Sequence, residues 1–407
     1  MSLEDVPLKS LKEVTKYLSR GITPSYTENE GVIVLNQRCI MDNKIDWSNI
    51  RLTDPQKKKI SSDKYLKQYD VLVNSTGVGT LGRSAQVKKL FSDTTVDSHV
   101  TILRPNDLVD PMFFGYAVNM VEKNIESLAE GSTGQTELSR VRLGEEIFIN
   151  LPPKDIQKKI AKILSYLDEK IELNEKINKN LFSIGRLIFK ELILNEYSNN
   201  SHSNWVLVPF NEISTVQNGF AFKSNDYCDV GCNMIRTRDI TSEGFVFNED
   251  LINLPQSFYE SKKYKNYKFE RLDTITVMVG ASIGKMGLIT DINIPSLQNQ
   301  NMWRFRSKLK NISPAFVYYY VEKINKEIIN MATGSARSFY RKNLFLDYEC
   351  IMPSNDYLNG INPLFNSLFD KISENVAEID KLTKLRDTLL PKLMSGEIDV
   401  SKINCDI

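Results

Sequence analysis

The sequence predicts an α+β chain in which two β-rich globular segments alternate with two long helices, the second half repeating the first. Three observations carry this prediction. Two stretches have apolar residues stepping by three or four, with charged residues on the remaining faces. The two stretches match each other at a constant offset. The segments before them are made of short β-type runs broken by Gly, Asn, Asp and Pro, such as GVIVLN, YDVLVNS, DTITVMVG and GLITDI.

The first helix follows Pro152-Pro153, where proline suits an extended lead-in or first turn. Its seam reads Ile160, Ile163, Leu167, Ile171, Asn174, Ile177, Leu181, Ile184 and Ile188. The second seam reads Leu364, Leu368, Ile372, Asn375, Ile379, Leu382 and Leu389. Asn362 before Pro363 reads as cap and first turn, while Pro391 and Gly396 mark the end. Pro152 pairs with Pro353, Ile160 with Ile361, Leu167 with Leu368, Lys170 with Lys371, Ile171 with Ile372, Asn174 with Asn375 and Leu181 with Leu382. Two unrelated helices share a period but not a Lys-Ile-x-x-Asn register. The globular segments agree more weakly: Val6-Pro7 with Val208-Pro209, Arg38-x-Ile40 with Arg238-x-Ile240, Tyr69-Asp70 with Leu272-Asp273, Thr133-Gly134 with Thr333-Gly334. The expected organisation is a globular segment over 1–151, a helix over 152–197, a globular segment over 198–352, a helix over 353–396 and a tail over 397–407, with SNNSHSN as the polar linker between halves.

Lys and Arg number 52 against 51 Asp and Glu, so nucleic-acid affinity must come from local patches or from partners. The five scattered cysteines suit free thiols in a reducing compartment. Cys228 and Cys232 lie close together, but only two histidines are present and no second Cys pair, so no metal site is expected. There is no apolar run of membrane-spanning length and no signal-type N-terminus, so a cytoplasmic location is expected.

STGVGTLGRS, from Ser75 to Ser84, approximates a phosphate-binding loop, with Arg83 where lysine is required. Its counterpart in the second half is VGASIGKMG, one residue shorter, with Met286 in place of the magnesium-binding hydroxyl. A phosphate cradle needs a helix N-terminus directly after the loop. SAQVKKLF and MGLITDI read as strands instead, so each loop is expected to be a hairpin. Gly77, Gly82, Gly280 and Gly284 would supply its unusual backbone angles, and Arg83 and Lys285 are candidate contacts to a polyanion. A purely structural hairpin is the competing reading.

NLPPK lacks the aromatic residue and cofactor loop of an amino-methyltransferase, and His99 finds only Asn301 as its counterpart. No catalytic constellation emerges. Loops that mix basic, aromatic and amide side chains are more informative, because such residues read phosphates and base edges. Arg38, Gln135 and Arg140 in the first half, and Arg236, Arg238, Arg337, Tyr340 and Arg341 in the second, are the candidates. Lysines 262, 263, 265 and 268 with Tyr264 and Tyr267 form a further cluster. Solvated surface loops are the competing reading of each.

These features together resemble the specificity subunit of type I restriction–modification systems. The resemblance rests on the two-copy layout and on LPPKDIQKKIAKILSYLDEKI, which has that family's Pro-Pro-x-x-x-Gln-x-x-Ile start. The TGVGTLGR and VGASIGKMG hairpins and the two Thr-Gly loops fit as well. The second helix departs from the pattern: SNDYLNGINP lacks Gln-x-x-Ile and contains Gly360 and Pro363, so its regular part is expected to begin later. The resemblance implies two target recognition domains, each reading one half of a split, asymmetric site in double-stranded DNA. It implies that the helices pair as an antiparallel coiled-coil spacer, and that two adenine methyltransferase subunits and motor–nuclease subunits join the chain. S-adenosylmethionine, ATP and magnesium would belong to those partners, leaving no cofactor here. Asn174 and Asn375 would then meet near a pseudo-two-fold axis, or else face solvent at the seam edge. A coiled-coil adaptor for proteins and a nucleotide-binding enzyme are the alternatives.

Overall fold

A computed structural model describes residues 6–41, 43–131, 136–199, 204–331 and 340–403. The chain forms two compact units, Met1–Asp168 with Lys384–Ile407, and Glu169–Thr383. Four helices matter below: α1 (Pro111–Met120), α2 (Lys154–Phe189), α3 (Pro314–Met331) and α4 (Asn355–Ser395). The first turns of α2 and the last turns of α4 belong to the first unit; the remainder of both belongs to the second.

The duplication is explicit in the sheets. In the first unit a four-stranded antiparallel sheet runs Thr15–Arg20, Val100–Pro105, Val71–Asn74, Ser84–Gln86. The second unit repeats it as Ser214–Asn218, Met302–Ser307, Thr274–Val277, Met286–Leu288. Each unit adds a second sheet around one parallel pair, Thr94–Val96 on Val32–Leu35 and Ser296–Gln298 on Cys232–Ile235. In the first unit α1 packs Phe113, Phe114, Ala117 and Val118 into a core shared with Ile160, Ala161 and Leu164 of α2 and with Leu393 and Met394 of α4. In the second, α3 brings Phe316, Tyr319 and Tyr320 against Phe182 and Phe189 of α2 and Leu358, Phe365 and Phe369 of α4.

The strand–turn–strand reading of both glycine loops holds. Val71–Asn74 pairs with Ser84–Gln86, and Thr274–Val277 with Met286–Leu288, with no helix following either loop. That removes the nucleotide-cradle alternative.

Three expectations about the helices are corrected. First, α4 begins at Asn355 and runs through Gly360 and Pro363. Its N-terminal cap is Ser354, whose hydroxyl accepts from the Tyr357 N–H. An interior proline costs about 3 kcal/mol. Burial of Leu358, Ile361 and Phe365 on the opposite face offsets it, at roughly 1.5–3 kcal/mol per large side chain. Asn362 caps another element: it accepts from the Ser313 N–H at 3.2 Å, just before Pro314 opens α3, and donates to Asn311 O at 2.7 Å. In the first copy Gln157 does the equivalent work, accepting from the Asp110 N–H at 2.6 Å just before Pro111 opens α1. The missing glutamine of the second copy is thus replaced by an amide one turn later.

Second, the seams shift. Ile160, Ile171 and Asn174 are buried, with Leu167 half-buried, but beyond Asn174 the buried line runs Asn178, Phe182, Gly185, Phe189. Leu181 is only partly covered and Ile184 is exposed. On α4, Ile372, Asn375 and Ile379 are buried, Leu368 and Leu382 are half-buried and Leu364 faces solvent, while Phe365 and Phe369 carry the core. The cause is α3, a third packing partner that helical period alone cannot reveal. Its Tyr319 hydroxyl donates to Phe182 O, and a Cβ on Gly185 would lie 2.0 Å from that hydroxyl.

Third, Asn174 and Asn375 do not bond each other. Asn174 Nδ2 donates to Glu378 Oε2 at 2.8 Å, and Asn375 Nδ2 donates to Asn178 Oδ1 at 2.8 Å. Facing positions rise along α2 as they fall along α4, so the segments are antiparallel. Their local pseudo-two-fold lies between Asn174 and Asn178 on one helix and between Asn375 and Glu378 on the other. Both asparagines are buried, against the solvent-edge alternative.

Candidate nucleic-acid interface

In each unit the glycine hairpin meets a short 3-10 turn that carries one exposed arginine. In the first unit that turn is Gln37–Cys39, and Asn36 caps it by accepting from the Arg38 N–H at 2.8 Å. Asn74 Nδ2, at the end of the hairpin's first strand, donates to Gln37 O at 3.0 Å. Thr76, in the loop, donates its hydroxyl to Gln37 Oε1 at 2.9 Å. The loop also touches the chain before the helix Arg140–Glu146: Gly77 N donates to Thr136 O and Leu138 N to Ser75 O. Gly77 and Gly82 have φ of 102° and 86°, angles that side chains rarely adopt. Arg38 and Arg83 stand exposed, without an ion pair among the described residues.

The second unit builds the same junction with different chemistry. Its turn is Thr237–Asp239, and Arg238 is exposed there. Lys285, the counterpart of Arg83, does not reach outward: its ammonium donates to Ile240 O and ties the hairpin to the turn. Gly280 and Gly284 again have positive φ, 92° and 80°. A Cβ on Gly284 would lie 2.4 Å from Ile329 Cδ1, so close packing reinforces the need for glycine there.

Two candidates prove to be structural. Arg236 is buried, its fork closed on Asp239 at 2.9 and 2.6 Å, with a further bond to Asp250 O. Tyr340 stacks on Trp303 at 5.2 Å and donates to Asn325 Oδ1 at 2.7 Å; burial pushes its phenol well above the usual range. Neither presents a polar group to a ligand. Arg140 is exposed in an open groove with Arg20 and Lys64, and Arg341 is exposed after the Trp303 cluster. Burial, then the neighbouring Arg140, pulls the Lys64 ammonium below its ordinary value. Gln135 and Arg337 lie outside the described residues.

Under each hairpin lies a paired device that no local feature of the sequence announces. Arg104 closes a two-pronged fork on Asp70, both bonds at 2.8 Å and both residues buried. Arg306, half-buried and also paired with Glu270, closes a like fork on the buried Asp273 at 2.7 and 2.6 Å. Each carboxylate also accepts the N–H three residues before it, from Lys67 and Glu270. The aspartates follow Tyr69 and Leu272, both at positive φ, so the forks pin a strained turn that leads into the hairpin. Burial pushes the Asp273 carboxyl up, and the Arg306 fork opposes that push. The Asp70/Asp273 match was visible in the sequence; the arginine partners, some thirty residues away, carried no local signal.

Among the described residues no cluster of His, Cys, Asp and Glu is placed to hold a metal, and no helix is long and apolar enough to cross a membrane. The arrangement offers cations, amides and hydroxyls on rigid turns.

Comparison with known proteins agrees with this layout. Residues 4–182 and 202–355 match the type I restriction modification DNA specificity domain, once in each half. The type I restriction enzyme MjaVIII specificity subunit of Methanocaldococcus jannaschii is 24% identical over 354 residues, covering 82% of each chain. The HindI specificity subunit of Haemophilus influenzae is 22% identical, covering 96% of this chain and 98% of its own. Among solved structures, the type I restriction-modification S subunit from M. genitalium shares the fold, with TM-score 0.57 and 18% identity over 96% of each chain.

Proposed function

The chain belongs to the type I restriction–modification specificity family, whose members are non-catalytic subunits, and from that premise we propose that it reads a split DNA site with one half-site per repeat. The observation that supports this most is the repeated junction of glycine hairpin and arginine-bearing turn, built twice on one topology but with different side chains. An equal scaffold with unequal chemistry suits an asymmetric site. Arg38, Arg83, Arg140, Arg238 and Arg341 are the proposed DNA-facing cations, and Gly77, Gly82, Gly280 and Gly284 shape the loops that carry them.

The long helices serve as the spacer in this reading, and adenine methyltransferase subunits dock on the scaffold, joined by motor–nuclease subunits. S-adenosylmethionine and ATP with magnesium act in those partners, in the cytoplasm. With a net charge of only +1, the isolated chain binds DNA weakly and gains affinity in the complex.

Methylome sequencing of a chimera tests the reading. Exchanging the loops between Arg38 and Arg142 for those of a relative, in cells that carry the methyltransferase, should change one half of the methylated motif and leave the other intact. A change in both halves, or in neither, contradicts it.

A further inference from the structure

Three residues from three separate segments converge at the first unit's hairpin. Thr76 has one hydroxyl hydrogen, and it goes to Gln37 Oε1 at 2.9 Å. The His99 Nδ1 lies 2.9 Å from the same hydroxyl oxygen, which has only lone pairs left to offer. With the hydroxyl hydrogen so placed, His99 Nδ1 is the donor, and in that tautomer of the ring Nε2 is left as an acceptor. His99 is exposed, so that acceptor is available to a ligand.

All three anchors are fixed. Asn74 holds the Gln37 carbonyl at 3.0 Å, and the Asp97 carboxylate accepts the His99 N–H at 2.9 Å. A Cβ on Gly77 would lie 3.3 Å from both polar atoms of the Gln37 amide, so the glycine leaves that amide its room. With Oε1 committed to Thr76, the two N–H groups of Gln37 remain as donors with no partner among the described residues.

The second unit keeps the backbone and drops the relay. Ser75 N donates to His99 O at 2.8 Å, and at the equivalent place Met278 N donates to Asn301 O at 2.9 Å. The three positions are there Thr237, Val279 and Asn301, and Val279 cannot pass a hydrogen bond. The scaffold does not require the relay, so its chemistry is free to serve a ligand.

Resting on the reading that each repeat contacts one half-site, we propose that Gln37, Thr76 and His99 form a preorganised base-reading relay. It selects a base with an exocyclic amino group on its major-groove edge, adenine or cytosine. An imidazole acceptor matches adenine N6–H or cytosine N4–H and meets the carbonyls of guanine and thymine lone pair to lone pair. Gln37 adds donors beside it, and the hydrogen-bonded anchors keep both groups in register.

The test is selection of bound duplexes from a randomised library by the chain in complex with its methyltransferase, followed by sequencing. The wild-type complex should fix one position of the first half-site as adenine or cytosine. Thr76→Val, which swaps a hydroxyl for a methyl of equal size, and His99→Asn, which installs the second repeat's residue, should each relax that single position. The expected loss of discrimination is about tenfold to a hundredfold, with the other positions, the second half-site and the melting temperature unchanged. Variants that select the wild-type motif with full discrimination overturn the relay and leave the split-site reading intact. A first half-site with no position fixed as adenine or cytosine overturns it as well. A wild-type complex that selects no motif sinks the underlying reading and the relay with it.

Discussion

Asn178 and Asn375 invite a decisive perturbation of the helical core. Both are buried in the second unit, and Asn375 Nδ2 donates to Asn178 Oδ1 at 2.8 Å. The Asn178 amide nitrogen already lacks a partner among the described residues. Leucine has as many side-chain heavy atoms as asparagine but is bulkier by roughly two methylene groups, so each buried Asn→Leu also carries an overpacking cost of about 1–3 kcal/mol. Asn375→Leu alone leaves both polar atoms of Asn178 unpaired, a penalty of about 1–3 kcal/mol. Burying the new leucine returns a comparable amount, about 1.5–3 kcal/mol. With the overpacking included, the single variant should be less stable than wild type by about 1–3 kcal/mol. The double variant carries no stranded amide and should be more stable than the sum of the two single changes predicts. A double-mutant cycle by urea denaturation, followed through Trp205 and Trp303 of this unit, should return a coupling of at least about 1 kcal/mol. The amide pair also opposes a slip of the helices, since a slipped register strands both groups. The double variant should consequently methylate sites with more variable spacing. Additivity of the two single effects within about 0.5 kcal/mol would refute the reasoning.

Other outcomes follow from the same structure. Asp70→Asn should cost about 3–5 kcal/mol, because it leaves the buried Arg104 guanidinium without its counter-charge; a loss under 1 kcal/mol by calorimetry contradicts the fork. Arg83→Ala should shallow the slope of log affinity against log salt in the complex by about 0.9, the share of one phosphate contact, whereas Lys285→Met should leave that slope alone and lower the melting temperature. Equal slope changes at both positions would remove the distinction drawn between the exposed arginine and the tethered lysine. Inserting four residues after Lys179, about 6 Å of helix, should lengthen the gap between half-sites and keep both half-sites as they are; an unchanged gap in an active complex removes the spacer role.

The duplication, the two long helices, the strand nature of the segments flanking each glycine loop and the family are all legible in the residues. Those are local or periodic properties. A repeat of Lys-Ile-x-x-Asn survives in any tertiary context, and the glycines with flanking β-type runs prescribe a hairpin wherever it packs. Which face of each helix is buried depends on packing between distant segments: Tyr319 and its neighbours on α3 draw Phe182 and Phe189 fully inward, leaving Leu181 and Ile188 only partly covered. Tertiary packing decided that Gly360 and Pro363 stay helical, since burial of Leu358 and Phe365 outweighs their local preference. It also separated arginines of identical composition into different roles. Arg38 and Arg238 reach solvent, while Arg104, Arg236 and Arg306 close on aspartates. Charge in a sequence does not say whether its partner is a phosphate or a carboxylate; that depends on which distant strand the fold sets beside it.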